Sequence, residues 1–219
     1  MKKITLLLLA VVSLKAIAQT TEPPFRKEID AFKKKDSIQM PAARCILFVG
    51  SSSFTKWTDV QDYFPGYPVL NRGFGGSSLP DVIRYADEII MPYNPKQIVI
   101  YCGENDIAGS DTLQPQTVLQ RFQKLFSIIR SKLPNVPVAF ISIKPSVSRW
   151  KMEDRMVESN SLIKDFLGKQ KNTSFINVHT AMLKPDGSVM TDIFVADNLH
   201  MNSKGYGIWK PIILPYLVK

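Results

Sequence analysis

Short apolar runs alternate with amphipathic stretches along most of this chain. Cys45-Ile46-Leu47-Phe48-Val49 is unbroken and stops at Gly50. Gln97-Ile98-Val99-Ile100-Tyr101, Val136 to Ser142 and Ser174-Phe175-Ile176-Asn177-Val178 are further runs of strand length, and Pro68-Val69-Leu70 is a shorter one. Strands apolar at successive positions are strands covered on both faces. Between them the period changes. Phe25, Ile29 and Phe32 fall at helical spacing over residues 25–36. Val82, Ile83, Ala86, Ile89 and Ile90 form one stripe behind the helix-start signal Ser78-Leu79-Pro80-Asp81. Val118, Phe122, Leu125, Phe126 and Ile129 mark a helix over residues 115–132. Residues 150–168 carry a less regular helical stripe, Asp186-Gly187 is a turn, and a last helix spans 203–217, kinked or split by Pro211 and Pro215. This alternation predicts an α/β fold, a parallel sheet of five strands with helices on both faces. No repeat, low-complexity tract or linker divides it.

The N-terminus departs from that pattern. Met1-Lys2-Lys3 is followed by an apolar stretch from Ile4 to Val12 and by Ala16-Ile17-Ala18. A basic start, a short apolar segment and an A-x-A site predict an export signal, residues 1–18, removed near Ala18. The segment is shorter than the ~20 residues of a membrane span, and no cysteine follows it to take a lipid. The expectation is a periplasmic or secreted protein without a stable membrane anchor. Residues 19–219 are then one domain, long enough for a full core.

Loss of the signal lowers the net charge from +9 to +6. The remaining basic residues are scattered. The one dense run, Lys33-Lys34-Lys35, lies between Asp30 and Asp36 on a helix and reads as a solvated face, so no nucleic-acid partner is expected. Cys45 opens one strand and Cys102 follows another. In a parallel sheet that places them at opposite ends, too far apart to bridge, and predicts two buried thiols. Two histidines and two cysteines make no zinc-type cluster.

In a sheet of this kind ligands gather at the carboxyl ends of the strands. Gly50-Ser51-Ser52-Ser53 follows the first strand and Asn71-Arg72-Gly73-Phe74-Gly75-Gly76-Ser77 the second. Gly103-Glu104-Asn105-Asp106 follows the third, Lys144-Pro145-Ser146 the fourth, and Asp197-Asn198-Leu199-His200 lies beyond the fifth. These are the parts of an acyl-transfer site. A serine hydroxyl needs a base to take its proton, and His200 is available. Asp197, three residues earlier, can reach the other imidazole nitrogen. Glycine amides and an Asn side chain can serve a tetrahedral oxyanion. Singly, each is ordinary: a serine after a strand, a glycine-rich turn, an Asn-Asp cap. His179 has no acid close in sequence and reads as structural. The G-x-S-x-G elbow is absent, and Ser78 stands where a dinucleotide fingerprint needs its last glycine.

Taken in order, these four blocks resemble the SGNH hydrolases, or GDSL esterase/lipase family, over residues 45–217. The resemblance implies a flavodoxin-like three-layer α/β/α sandwich. It makes Ser52 the nucleophile, Asp197 and His200 its triad partners, and Ser52, Gly76 and Asn105 the oxyanion-hole donors. One position departs: Ser51 stands where the family usually has Asp before the nucleophile. Ser51 and Ser53 are therefore kept as alternatives to Ser52.

Within the family the chain is similar to the platelet-activating-factor-acetylhydrolase type and to exported carbohydrate esterases. That implies a serine esterase removing a short acyl group, acetyl first, from a carbohydrate or similar small alcohol, with no cofactor. Trp57, Phe74 and Trp150 are read either as sugar-stacking platforms or as packing. Lys144 and Arg149 are read as substrate contacts or, in preference, as solvated cations. The rivals are a thioesterase or lysophospholipase, acyl transfer to another alcohol, and a non-catalytic carbohydrate-binding protein on the same fold.

Overall fold

The computed structural model describes residues 22–219, so the signal read over residues 1–18 lies outside them. Five strands form one sheet: β1 (Ile46–Gly50), β2 (Val69–Gly73), β3 (Gln97–Tyr101), β4 (Val138–Ile141) and β5 (Thr173–Ile176). Every pairing is parallel and the order is β2-β1-β3-β4-β5. The longer helices are α1 (Arg26–Ile38), α4 (Leu79–Ile89), α6 (Pro115–Lys132), α7 (Glu153–Leu167) and α8 (Ser203–Ile213). Three single-turn helices lie between them: α2 (Ser52–Thr55), α3 (Val60–Tyr63) and α5 (Glu104–Ala108). At four or five residues these are too short to leave a periodic signal.

Each central strand divides its side chains between two cores, which is why its sequence is apolar throughout. Leu47, Val49, Ile98, Ile100, Val138 and Phe140 point to one face, under α1, α4, α6 and α7. Ile46, Phe48, Val99, Tyr101, Ala139 and Ile141 point to the other, under α2, α3 and α8. The result is the expected three-layer α/β/α sandwich. Cys45 and Cys102 are buried free thiols on opposite edges of the first core.

The elements depart from the sequence reading where polar side chains have buried partners. Asn71, Arg72 and Gly73 read as loop, yet they pair with Phe48, Val49 and Gly50 and extend β2. Arg72 is buried there because Tyr93 and Asp36 accept from its guanidinium. β4 starts at Val138, after Pro137, whose ring nitrogen has no hydrogen to give a ladder. Proline also shapes the C-terminus: Pro211 lies inside α8, and a 3₁₀ turn at Leu214–Tyr216 carries Pro215.

The first helix is held to the fourth by a fork. Arg26 donates from Nη1 and Nη2 to Glu88 Oε1 and Oε2 at 2.9 and 2.8 Å, and Lys33 Nζ adds 3.1 Å. The hydrogen bonds from Arg26 hold the Glu88 carboxyl at about 2, against 4.5. A carboxyl lowered by folding contributes its stability above the unfolded value and loses it as pH falls through the folded one. Stability is therefore expected to decline between pH 4.5 and pH 2, and Glu88→Gln to flatten that decline while costing ~1 kcal/mol at neutral pH. Denaturation midpoints across that range check both, and an unchanged slope in the variant would remove Glu88 from the account.

Candidate active site

The turn after β1 is built around glycine. Gly50 has φ 147°, and a Cβ there would lie 1.8 Å from the Tyr101 carbonyl oxygen. Without that Cβ the chain passes close to β3, and the Ser51 amide donates to the Tyr101 carbonyl at 3.0 Å. The turn sorts the three serines. Ser51 and Ser53 are buried, while Ser52 opens α2, half-buried, on the wall of a cavity. Two side chains hold α2 in place. Asn71 Nδ2 donates to the Phe54 carbonyl at 2.7 Å, and Tyr206 Oη on α8 donates to the Ser53 carbonyl at 2.8 Å. Gly73 lets β2 come this near, since a Cβ there would meet the Cβ of Phe54 at 2.6 Å.

His200 lines the same cavity, about 280 Å³ in volume, together with Lys56, Gly75, Gly76, Asn105, Arg149 and Leu199. Its loop is organised by Asp197. Oδ1 accepts from the backbone amides of Leu199 and His200 at 2.9 Å each, and Oδ2 contacts His200 Nδ1 at 2.6 Å. Burial alone would raise the Asp197 carboxyl, but the His200 ring and these two amides outweigh it and bring it down to about 2. A carboxylate only accepts, so Nδ1 carries a hydrogen, and Nε2 is the nitrogen turned to the cavity side. Nε2 is shielded from solvent and has no hydrogen-bond partner among the described residues.

The loop after β2 supplies donors. Gly76 has φ 84°, and its amide makes no backbone hydrogen bond among the described residues. Asn105, at the start of α5, donates from Nδ2 to the Ser77 carbonyl at 2.9 Å, and its Oδ1 accepts from Arg149 Nη2 at 2.9 Å. Asp106 is a brace. It accepts from the Leu79 amide at 2.9 Å and pairs with Arg121 at 2.7 Å, tying α4 and α6 to the Asn105 turn. The four sequence blocks thus meet at one edge of the sheet. A larger surface groove of about 570 Å³, lined by Lys164, Lys169 and Phe175, contains no histidine. Volume alone does not select the site.

Several side chains read as substrate contacts lie elsewhere. Trp57 is fully buried, stacked on Tyr206 at 4.6 Å between ring centroids, and belongs to the second core. Phe74 is likewise buried, edge-on to Phe25. Trp150 is exposed, but is not among the cavity-lining residues. Lys144 is neither solvated nor a contact. It is 0% exposed, and its Nζ lies 3.3 Å from Glu104 Oε1. Burial lowers its affinity for the proton, and Glu104 works against that shift. Glu104 also pairs with Arg149 Nη1 at 3.2 Å and accepts from Tyr101 Oη at 2.6 Å. Arg149 is therefore not a solvated cation either. His179 has a partner that distance along the chain concealed: Glu153, on α7. Gly75 and Leu199 are cavity walls from within two of the sequence blocks, whereas Lys56 lines the cavity from outside all of them.

The arrangement is a hydroxyl, an oriented imidazole and several N–H donors around one small cavity, the parts needed for acyl transfer. The model of the GDSL-like lipase/acylhydrolase family matches residues 48–208. Solved structures share the architecture. A Streptococcus pneumonia protein described as a candidate platelet activating factor superposes with a TM-score of 0.76 at 18% identity, over 88% of this chain and 92% of that one. A GDSL-like lipase from Bacteroides thetaiotaomicron gives 0.71 at 16%, over 86% and 96%. A variant of an acetyl-xylooligosaccharide esterase from Geobacillus Stearmophilus gives 0.63 at 14%, over 80% and 94%. No curated protein matches the sequence significantly. At these identities the structures speak for the fold, and the family match speaks for the chemistry. The chain belongs to the GDSL-like lipase/acylhydrolase family and is a serine ester hydrolase.

Proposed function

We propose that this enzyme hydrolyses short-chain acyl esters, acetyl above all, of a carbohydrate or similar small alcohol, after export from the cytoplasm. Ser52 Oγ attacks the ester carbonyl as His200 Nε2 takes its proton. Asp197 holds the imidazole in the required tautomer and stabilises the imidazolium. The carbonyl electron pair moves onto oxygen, where the amides of Ser52 and Gly76 and the side chain of Asn105 receive it. Collapse expels the alcohol, which takes the proton from His200. Water, activated by the same imidazole, then releases the acid and restores Ser52.

The observation that carries this reading is the shared cavity: Ser52, Gly76, Asn105 and His200 line it, while Asp197 occupies the far nitrogen of His200. Its volume, about 280 Å³, lies just below the range of about 300–1,000 Å³ for small-molecule sites. That favours acetyl over a long acyl chain. The resemblance of the fold to an acetyl-xylooligosaccharide esterase supports a carbohydrate alcohol.

The test is hydrolysis of p-nitrophenyl acetate, butyrate and longer esters, with a serine-directed phosphonate in parallel. Acetate is expected to give the highest kcat/KM, with steady loss as the chain lengthens. Preference for long chains would move the assignment to a lysophospholipase or thioesterase. An enzyme inert to every ester and to the phosphonate would overturn the catalytic reading.

A further inference from the structure

Asn105 is surrounded in a way that simple donation to an oxyanion does not require. An Asn side chain can turn over, exchanging its oxygen and nitrogen, and only its partners decide which way it faces. Here both partners agree. Arg149 has donors and no acceptor, so the atom 2.9 Å from its Nη2 has to be oxygen. The Ser77 carbonyl only accepts, so the atom 2.9 Å from it has to be nitrogen. The reversed amide would set N–H against guanidinium and oxygen against oxygen. With one Nδ2 hydrogen on Ser77, the other is left for the cavity that Asn105 lines.

Arg149 is itself held. Nη1 lies 3.2 Å from Glu104 Oε1, the same oxygen that Lys144 Nζ approaches at 3.3 Å. Tyr101 Oη occupies the other carboxylate oxygen at 2.6 Å. Glu104 precedes Asn105 in the chain, so one turn carries both the donor and the anchor of the residue that orients it. Arg149 and Lys144 thus share one carboxylate oxygen, and the guanidinium lies directly against the amide oxygen. A cation bonded to the Asn oxygen draws electron density from its nitrogen and strengthens the remaining N–H as a donor.

We propose that Arg149 is a positioning residue for acyl transfer: its guanidinium, anchored on Glu104, locks and polarises the Asn105 side chain so that one amide N–H is aimed at the oxyanion. The inference rests on the reading of Asn105 as an oxyanion donor. It assigns Arg149 an effect on the transition state and none on ground-state binding.

The test is a double-mutant cycle with Arg149→Met and Asn105→Ala, read as kcat and KM on p-nitrophenyl acetate, with melting curves for each protein. Asn105→Ala is expected to lower kcat ~10²-fold or more. Arg149→Met should lower kcat about tenfold or more, with KM within about twofold. In the Asn105→Ala background the same change should cost almost nothing, because the residue it acts through is gone. Arg149→Lys keeps the charge without the fork and should fall between wild type and Arg149→Met; it replaces Arg149→Met in the cycle should that protein fail to fold. Three results would overturn the inference alone: an Arg149 loss that multiplies with that of Asn105, an effect confined to KM, or full kcat without Arg149 while Asn105→Ala is impaired. Wild-type kcat in Asn105→Ala would instead overturn the oxyanion reading itself, and the inference with it.

Discussion

Replacing Ser52 with alanine is expected to lower kcat on p-nitrophenyl acetate ~10³-fold or more. The size follows from losing the covalent route, since no second hydroxyl stands in the same place. Ser51 and Ser53 are buried in the turn, and Ser52 alone of the three lines the cavity with His200. The residual rate would come from the oxyanion donors and substrate binding. Ser51→Ala and Ser53→Ala are the matched controls and should keep most of the activity, with their cost appearing in stability. The usual Asp before the nucleophile is replaced here by Ser51, whose amide bonds to Tyr101. Its side chain has no part in the proton path proposed. Near-normal turnover by Ser52→Ala together with an inactive Ser51→Ala would reassign the nucleophile.

The second large effect is on stability. Glu104→Gln is expected to cost about 3–5 kcal/mol, the cost of leaving a buried charge without its partner. For a chain of this size that is roughly 6–20 °C in Tm. Lys144 is fully buried, and Glu104 is the carboxylate it pairs with. A glutamine keeps a partner for Tyr101 but removes the negative charge facing two cations. The pH dependence gives a sharper check. Burial lowers the Lys144 pKa below 10.5, so in the variant the fold favours neutral lysine. Stability should then recover as pH rises from neutrality and lysine sheds its proton. Adding Lys144→Met should recover part of the loss at neutral pH, because an apolar side chain needs no counter-charge. A variant within about 1 kcal/mol of wild type at pH 7, with no recovery at higher pH, would show that Glu104 is not the balancing charge.

Both predictions concern one sheet edge, but they differ in how early they were visible. The nucleophile turn, the glycine-rich loop, Asn105 and the Asp197–His200 pair are written in short blocks. Their chemistry is local: a glycine at a positive φ, a side-chain amide four residues past the end of its strand, a carboxylate three residues from its imidazole. The strand cores were equally plain, since a strand covered on both faces is apolar at every position. Partnership across the chain was not plain. Lys144 and Arg149 read as solvated, although Glu104 lies 40 and 45 residues away in sequence and beside both in space. His179 has no acid close in sequence, but Glu153 is brought to it by the packing of α7 on β5. For Trp57 the sequence leaves sugar stacking and packing open, and the structure selects packing, because Tyr206 from α8 stacks on the ring.

The sequence by itself determined the layered α/β architecture, the order of the blocks and the residue types of an acyl-transfer site, because those depend on periodicity and on contacts a few residues apart. The tertiary structure alone decided the strand order and which charges are buried together, and it put Ser52, the serine the block order singles out, on the cavity wall. Those are settled when distant segments exclude water from one another, and burial converts a surface lysine or arginine into a charge that must find its partner.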